Sequence, residues 1–479
     1  MPANRPRDLA HNLVLPTLLF AALGGMAWAV RGCSGFGAAN GCLFAGITWG
    51  TAWWFIAREP ARRQSRRYSS GWVILALAVG IAVSGARGWM QWPSFFNGRL
   101  MTDAAAGKFV PIPRIYGFIW LFIAGVPWAG LGACLLAWCG SRRPFPAWLW
   151  AVRLGCGFGV MGLALILFYR WPQVFLPLYS TIKAQYSDYH TNPSLRRLFG
   201  DNRAAIQHLG LYLGFLLFEV GRRDWKNVKL ILTVGVLNGL GWSLCQNWEW
   251  AARVWPDGHF NFWRCWESSG GISIGIAYGV AYYLANHPMS ESEIEARGTG
   301  NPNLERLGAY LGLLLGLGIS IKNGLKGWCN IYAGNERYWD RMLWRIIGAL
   351  MLVCLIAILW RILRRPLPKA FAADVFPHAY RLVWLMLIVQ NVIAQLITGP
   401  WSSWNEVAFS IYYVLLFCLS AVVIYHYHFR NGARRNIPTP ANPRSSARYS
   451  ASSTSSGPWS SCCSRRMTSE AWRGCPGRS

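Results

Sequence analysis

The sequence predicts an all-α polytopic membrane protein with about twelve transmembrane helices arranged as repeated hairpins. Three observations support this fold class. Hydrophobic residues make up 53% of the 479 residues and charged residues only 14%, and mean hydropathy is +0.24. Apolar runs long enough to cross a hydrocarbon core of about 30 Å also recur along the chain. Because ordinary soluble domains carry about 25% charged residues, this composition excludes that class.

The twelve runs each contain about 18 to 24 mostly apolar residues, the length that a spanning helix needs. The first run follows Arg5 and Arg7 and ends in an A-x-A sequence, as signal peptides do. No soluble domain follows it, so we interpret it as an uncleaved signal anchor. The runs lie at 11–30, 38–57, 71–88, 115–139, 147–169, 205–220, 227–246, 268–286, 304–322, 342–361, 380–399 and 406–428.

The net charge of +28 is spread over short clusters between the apolar runs and does not form one basic face, so nucleic acid is not an expected partner. Lys and Arg concentrate in alternate connections, which the positive-inside tendency places in the cytoplasm. Both termini are therefore predicted to be cytoplasmic, in a multi-pass protein of the inner (cytoplasmic) membrane. The basic connections are 58–67, 142–143, 222–229, 361–369 and 430–435.

Two helices share a pattern of small and aromatic residues. The segment GITWGTAWW at 46–54 matches GIAYGVAYY at 275–283 position by position, which suggests internal duplication. Small residues at every fourth position, Gly271, Gly275 and Gly279, predict a face that a neighbouring helix approaches closely. The preceding helices correspond as well: Gly25 and Trp28 match Gly239 and Trp242 in spacing, and Arg31 and Gln246 follow the tryptophans after three and four residues.

The outer connections are long and rich in tryptophan, above all the stretch 247–267. Tryptophan favours the headgroup depth in any membrane protein, so an interfacial aromatic belt is one interpretation. A surface on which sugar rings or other flat solutes stack is the alternative.

Polar or cationic side chains recur where alternate runs end on the outer side. Because ionisable groups in hydrocarbon are expensive, such recurring groups are expected to converge on one outward-facing cavity. Separate snorkelling of each side chain to the headgroups is the competing interpretation. The predicted substrate-binding residues are Arg31, Arg87, Gln246, Asn247, Lys322, Asn323, Gln390 and Asn391.

Two carboxylates, Glu249 and Glu267, flank the tryptophan-rich stretch. They are candidates for coupling a proton or cation to transport, or for general acid and base roles in an enzyme. Ion pairs with neighbouring arginines are the structural alternative.

The 13 cysteines contain no C-x-x-C pair and no Cys/His spacing that fits zinc, so no metal or cofactor is expected. Cys265 and Cys329 both fall in outer connections, where an oxidising compartment permits a disulfide. Residues 1–430 form the predicted transmembrane domain. Residues 431–479 are a basic, Ser/Arg-rich and disordered tail, which we interpret as the product of a reading-frame error; lipid binding by the tail is the alternative.

These features favour a transporter-like protein that moves a small polar, anionic solute through an outward-facing polar cavity. One alternative is a membrane-embedded enzyme acting on a lipid-linked sugar or similar amphiphile. Another is a membrane scaffold or subunit that binds a partner through its outer loops. The expected partners are thus a small polar solute or lipid-linked substrate, together with membrane lipids.

Overall fold

A computed structural model of the chain describes residues 9–33, 38–57, 66–85, 95–103, 106–140, 145–187, 193–255, 262–287, 302–364 and 404–427. These residues all belong to one compact unit, Met1–Gly432. The predicted run 380–399 and the predicted tail 431–479 lie outside the described residues.

The described residues are almost entirely helical. One π-helical turn, Ala10–Val14, leads into the first α-helix, and a two-stranded antiparallel hairpin, β1 (Arg99–Asp103) and β2 (Lys108–Pro111), interrupts the helices once. The α-helices are α1 (Leu15–Cys33), α2 (Ala38–Ala57), α3 (Val73–Gly85), α4 (Ile115–Trp138), α5 (Ala147–Arg170), α6 (Pro172–Phe175), α7 (Tyr179–Ser187), α8 (Pro193–Gly221), α9 (Trp225–Cys245), α10 (Trp248–Val254), α11 (Phe262–Ala285), α12 (Pro302–Tyr332), α13 (Glu336–Arg364) and α14 (Trp404–Tyr425).

Eight of the described helical segments are long and apolar enough to cross a membrane, and α3 is a shorter apolar helix. The helical class and a membrane-embedded protein therefore follow from the structure. The eight segments are Ala10–Ala29, Ile115–Trp138, Ala147–Arg170, Leu195–Gly221, Trp225–Cys245, Leu307–Lys326, Arg337–Arg364 and Val407–Tyr425.

Six helices form the centre of the bundle, each packing on the next in the order α1, α11, α9, α4, α3, α2 and back to α1. Glycine makes the α1–α11 contact possible, because a Cβ atom on Gly271 would collide with the carbonyl oxygen of Gly24. Gly275 and Gly279 meet the α1 backbone at Phe20 and Thr17 in the same way. The predicted close-packing face at Gly271, Gly275 and Gly279 is confirmed.

The remaining long helices pack outside this centre. α5 and α8 pair with each other, and α8 also contacts α4. α12 and α13 form a hairpin whose α12 arm contacts α2 and α3, while α14 lies on α1. α13 exposes large apolar side chains, with Val353 63% and Leu363 84% exposed, as expected of a surface whose solvent is hydrocarbon.

Two predicted outer connections contain more helix than the apolar runs indicated. α8 begins at Pro193, whereas its apolar run begins at 205. The helix therefore also includes the charged segment that precedes the apolar run. α12 continues past Lys322 to Tyr332, and that lysine is buried and forms an ion pair with Asp340 of α13. The connection 89–114 contains the β-hairpin, whose turn residue Gly107 has a φ of +59°, a conformation that glycine adopts without strain.

Candidate functional site

A column of buried aromatic rings fills the centre of the bundle. Each ring in this aromatic column is at most 1% exposed. Three of its contacts join residues that occupy matched positions in the two similar segments. The ring centroids are 5.9 Å apart for Trp28 and Trp242, 6.0 Å for Trp49 and Tyr278, and 5.1 Å for Trp53 and Tyr282; Trp266 extends the column beyond Trp242 at 5.2 Å.

The order of these pairs fixes the relative direction of two helices. Trp49 and Trp53 on α2 meet Tyr278 and Tyr282 on α11 in the same sequence order, so α2 and α11 run parallel to each other. The polar atoms of the four rings on α2 and α11 that form these two pairs are bound to backbone carbonyls: for example, Trp49 donates to Phe20 at 2.9 Å, and Tyr278 donates to Ala129 at 2.8 Å. These four rings are therefore fixed in orientation as well as position.

A buried polar network closes the column at one end of the bundle, where α2 ends and α9 begins. We call this the Arg67 end. Arg67 donates to the carbonyl of Gly140 and pairs with Asp224. Its members are Arg66, Arg67, Tyr68, Arg153, Glu219, Asp224, Asn227 and Asn286.

Tyr68 links the halves of this network. Its hydroxyl donates to Oδ1 of Asn227 at 2.6 Å, and Asn227 in turn donates to Glu219 at 2.8 Å. Glu219 also accepts from Arg153, and both side chains are 0% exposed. Buried charges are stable only when paired and hydrogen-bonded, and this chain of contacts supplies those partners from four different helices or connections.

Arg153 lies in an aromatic cage. Its guanidinium carbon is 4.2 Å from the ring centroid of Phe145 and 5.0 Å from those of Trp150 and Phe218. Its Nε and Nη1 atoms are buried without a hydrogen-bond partner. Glu219 is therefore the only carboxylate that the described residues place on this guanidinium.

The aromatic column and the polar network are continuous. Trp53 donates from its indole nitrogen to the carbonyl of Tyr68 at 2.9 Å. The Arg66 guanidinium lies 5.3 Å from the ring centroid of Tyr282 and donates to the carbonyl of Asn286 at 2.8 Å. The last ring pair of the column thus rests on a cation at the Arg67 end.

Buried polar groups also mark the opposite end, where α9 ends and α11 begins, which we call the Gln246 end. Gln246 is 0% exposed, and neither its amide nitrogen nor its amide oxygen has a hydrogen-bond partner. Glu267, 1% exposed, follows Trp266 of the column. Ser268 bonds to the Gly25 carbonyl at 3.0 Å and to the Tyr412 hydroxyl at 2.8 Å.

Lys322 and Asn323 are buried in another part of the bundle. They lie on α12, whose main neighbours are α13, α2 and α3, whereas the main neighbours of α9 are α4 and α11. Lys322 pairs with Asp340 and lies 4.8 Å from the Trp344 ring centroid. Asn323 is 0% exposed, and both polar atoms of its amide lack a partner. Lys322 therefore does not snorkel to the headgroups here.

The other predicted site residues are placed less fully. Asn247 is exposed and precedes α10. The backbones of Arg31 and Glu249 belong to α1 and α10, but their side chains lie outside what the structure describes, as do Arg87, Gln390 and Asn391 entirely. Cys265 and Cys329 are free thiols, so the disulfide raised as an alternative does not form in this structure.

A lateral cavity of about 300 Å³ opens between α11 and α14. Its lining is mainly aromatic and aliphatic, with hydroxyl groups contributed by Ser268 and Ser269 of α11 and by Tyr412 of α14. Because the lining is mostly apolar, the cavity suits a hydrocarbon chain better than a free polar solute.

Sequence reasoning missed Arg153 and Glu219. Each is a lone ionisable residue inside or at the end of an apolar run, in AVRLG and LFEVG. A charged residue in such a position is expected to be functional or to be paired with another group. The two lie 66 residues apart in sequence, so spacing could not pair them. The buried amide of Asn238 joins two helices by donating from α9 to the carbonyl of Gly125 on α4.

Comparisons with protein-family models, with curated proteins and with solved structures find no match. The chemistry of the site is therefore interpreted from its own geometry.

Proposed function

We propose that this protein is a transporter that moves a small polar, anionic solute along the aromatic column between two related segments, α1 with α2 and α9 with α11. The observation that carries the proposal is the contact between matched residues: Trp28 with Trp242, Trp49 with Tyr278, and Trp53 with Tyr282. Matched residues meet in this way when two repeats pack around a shared axis. Transporters bind their solutes at such repeat interfaces.

Both ends of the column supply groups that suit a polar solute. At the Gln246 end, a buried amide with two unsatisfied atoms has hydrogen-bonding capacity that a bound solute or water can use. At the Arg67 end, the Arg66 guanidinium faces the last ring pair, and a cation there favours an anion. Glu267, buried at the Gln246 end, is the group we assign to proton or cation coupling.

In this proposal the structure represents an occluded state, since the rings leave the centre filled. The finer topology belongs to the same proposal: about twelve spans in repeated hairpins, both termini in the cytoplasm and residence in the inner membrane. The concentration of Arg66, Arg67, Arg222, Arg223 and Lys226 at the Arg67 end supports a cytoplasmic location for that end.

The test uses purified full-length protein in proteoliposomes on a solid-supported membrane. Phosphate, sulfate, lactate and gluconate are applied with and without a pH gradient, and transport currents are recorded. At least one anion should produce a saturable current, which Gln246→Leu should abolish while the matched variant of the exposed neighbour, Asn247→Leu, retains it. Glu267→Gln should remove the dependence on the pH gradient. Absence of current for every solute and gradient would overturn the proposal.

A second candidate function is an enzyme acting on a lipid-linked sugar or similar amphiphile. The lateral cavity of about 300 Å³ beside Ser268 and Tyr412 favours it, because a prenyl or acyl chain fits an apolar cavity. If Glu249→Gln and Glu267→Gln abolish turnover of an isoprenoid-linked donor while vesicles move no solute, this function replaces the transporter.

A further inference from the structure

A second cavity, of about 360 Å³, lies at the end of α5, away from the aromatic column. We call it the Tyr186 pocket. Its walls come from the last turn of α5, from the short helices α6 and α7, and from the first turns of α8. Its lining combines aromatic, hydroxyl and cationic groups: Tyr169, Tyr179, Tyr186, Ser187, Arg196 and Phe199.

The walls of the Tyr186 pocket are fixed by buried contacts. Tyr186 is 1% exposed, donates to the carbonyl of Pro177 at 2.9 Å and packs on Tyr179 with 5.7 Å between ring centroids. Asn202, fully buried on α8, donates to the carbonyl of Phe175 at 2.8 Å, which ties α6 to α8. The pocket is therefore a built feature of the fold and not a gap between mobile side chains.

Cationic residues are concentrated in the chain segment that forms the pocket. Arg196 is exposed and lies over the ring of Phe199, 5.4 Å from its centroid. Arg203 donates to the Tyr169 hydroxyl at 3.2 Å, and its Nε is buried without a partner. In the described parts of 170–203 the acid is Asp201, against five cations, Arg170, Lys183, Arg196, Arg197 and Arg203. The site is thus electrostatically complementary to an anion.

The pocket lies where a membrane-facing surface ends. One to two turns before it, α5 exposes Ile166 and Leu163, at 65% and 53%. α5 ends at Arg170 and is followed by Trp171, the residue types that mark the boundary between hydrocarbon and headgroups. A lipid whose chains follow the exposed face of α5 would bring its headgroup to the pocket.

We propose that the Tyr186 pocket binds the phosphate group of an anionic lipid. Guanidinium groups are the preferred donors to phosphate oxygens, since they offer several N–H groups in a planar fork. Arg196 supplies such a fork at the rim, and the hydroxyl of Tyr179 in the lining supplies a further donor. Phosphate on a free solute would use the same groups, so the experiment separates the two sources.

Full-length protein in detergent is titrated with phosphatidylglycerol and, separately, with phosphatidylcholine, and bound lipid is counted by native mass spectrometry. Phosphatidylglycerol should bind more tightly than phosphatidylcholine. Arg196→Ala should weaken phosphatidylglycerol binding about tenfold, as expected for the loss of about one charge-assisted hydrogen bond, and Tyr179→Phe should weaken it less. The control is Arg197→Ala, which removes an adjacent exposed arginine that is outside the lining and should leave binding unchanged.

Equal losses in Arg196→Ala and Arg197→Ala would overturn the proposal, because they would indicate general attraction to charge. Equal binding of the two lipids by the unmodified protein would overturn it as well. Inorganic phosphate is added as a competitor in a separate arm. Failure to displace the lipid supports the lipid as occupant, whereas full displacement at millimolar concentration would overturn the lipid assignment in favour of a soluble phosphate.

Discussion

Removing the carboxylate of Glu219 should destabilise the protein strongly, because its partner Arg153 then remains charged and buried. Both side chains are 0% exposed. Loss of one member of a buried ion pair costs about 3–5 kcal/mol. The rings around Arg153 retain part of the cation's stabilisation, about 2 kcal/mol when the cation is desolvated, so we expect Glu219→Gln to cost near 3 kcal/mol.

The paired variant Arg153→Met/Glu219→Leu removes both charges and keeps apolar volume. Such replacements are often neutral or stabilising, so the double variant should recover most of the stability that Glu219→Gln loses. Its remaining cost is the lost bond from Asn227 to Glu219, about 1 kcal/mol. Equilibrium unfolding in mixed detergent with increasing sodium dodecyl sulfate, followed by tryptophan fluorescence, measures each free energy. A Glu219→Gln cost below about 0.5 kcal/mol, or a double variant as unstable as the single variant, would refute the reasoning.

Three further predictions concern other parts of the bundle. Gly271→Ala should cost about 1–3 kcal/mol in the same unfolding assay because the added methyl group meets the α1 backbone. The control Gly159→Ala, with open space around the glycine, should change stability by less than about 0.5 kcal/mol. Similar stability changes in the two variants would contradict the close approach of α11 to α1. Asp340→Asn should destabilise the protein by roughly 3 kcal/mol because it leaves Lys322 buried without its carboxylate. Lys322→Met should cost about 1 kcal/mol or less, because Asp340 is one-third exposed and keeps Lys326 at 3.5 Å. Equal costs of the two variants would show that the lysine is not desolvated. Burial and the nearby cations Lys226 and Arg66 lower the pKa of His287, so the folded state binds fewer protons than the unfolded state. Stability should therefore be constant above about pH 6.5 and fall as the pH drops below that value. His287→Gln should flatten this part of the profile, and an unchanged profile would exclude His287 as its source.

Hydrophobic length predicted the helices well where a segment is apolar from end to end. The run 115–139 coincides with α4, Ile115–Trp138, because hydrocarbon thickness limits how long an apolar helix becomes. The prediction was wrong about the extent of α8 and α12, whose helices continue past the last apolar residue. Charged residues such as Arg196 lower the hydropathy of a segment, but they do not end its helix. The number of spans and the hairpin repeat stay predictions.

From the sequence, only those residues of the candidate site could be predicted that are unusual for their own position in an apolar run. Gln246 stands out as an amide at the end of an apolar run, and it is buried. The partners of Arg153 were not predictable, since they depend on which helices meet. Trp266 lies in the tryptophan-rich stretch for which an interfacial belt or a stacking surface was expected, yet it is buried against Trp242. Room for Trp242 exists because Gly270 has no Cβ to collide with its ring, and sequence pattern does not show which ring a glycine faces.

The two ends of the aromatic column are held by different kinds of contact, and the proposed transport assigns the opening to the Gln246 end. At the Arg67 end, hydrogen bonds join the segment 66–68 to the far side of the column: Arg66 to the Asn286 carbonyl, the Tyr68 amide to the Asn286 side chain, and the Tyr68 hydroxyl to Asn227.

Near the Gln246 end, the described contacts between the two related segments include the Trp28–Trp242 ring pair, the bond from Ser268 to the Gly25 carbonyl and the close backbone approach of Gly24 to Gly271. A ring pair contributes about 0.5–1.5 kcal/mol beyond its buried area, without the directional constraint of a buried hydrogen bond. A state separated by a few kcal/mol is populated at roughly 0.1–10%. In the proposed transport, separation of Trp28 from Trp242 is the step that would open the column toward the Gln246 end, where the Gln246 amide and the Glu267 carboxylate are buried.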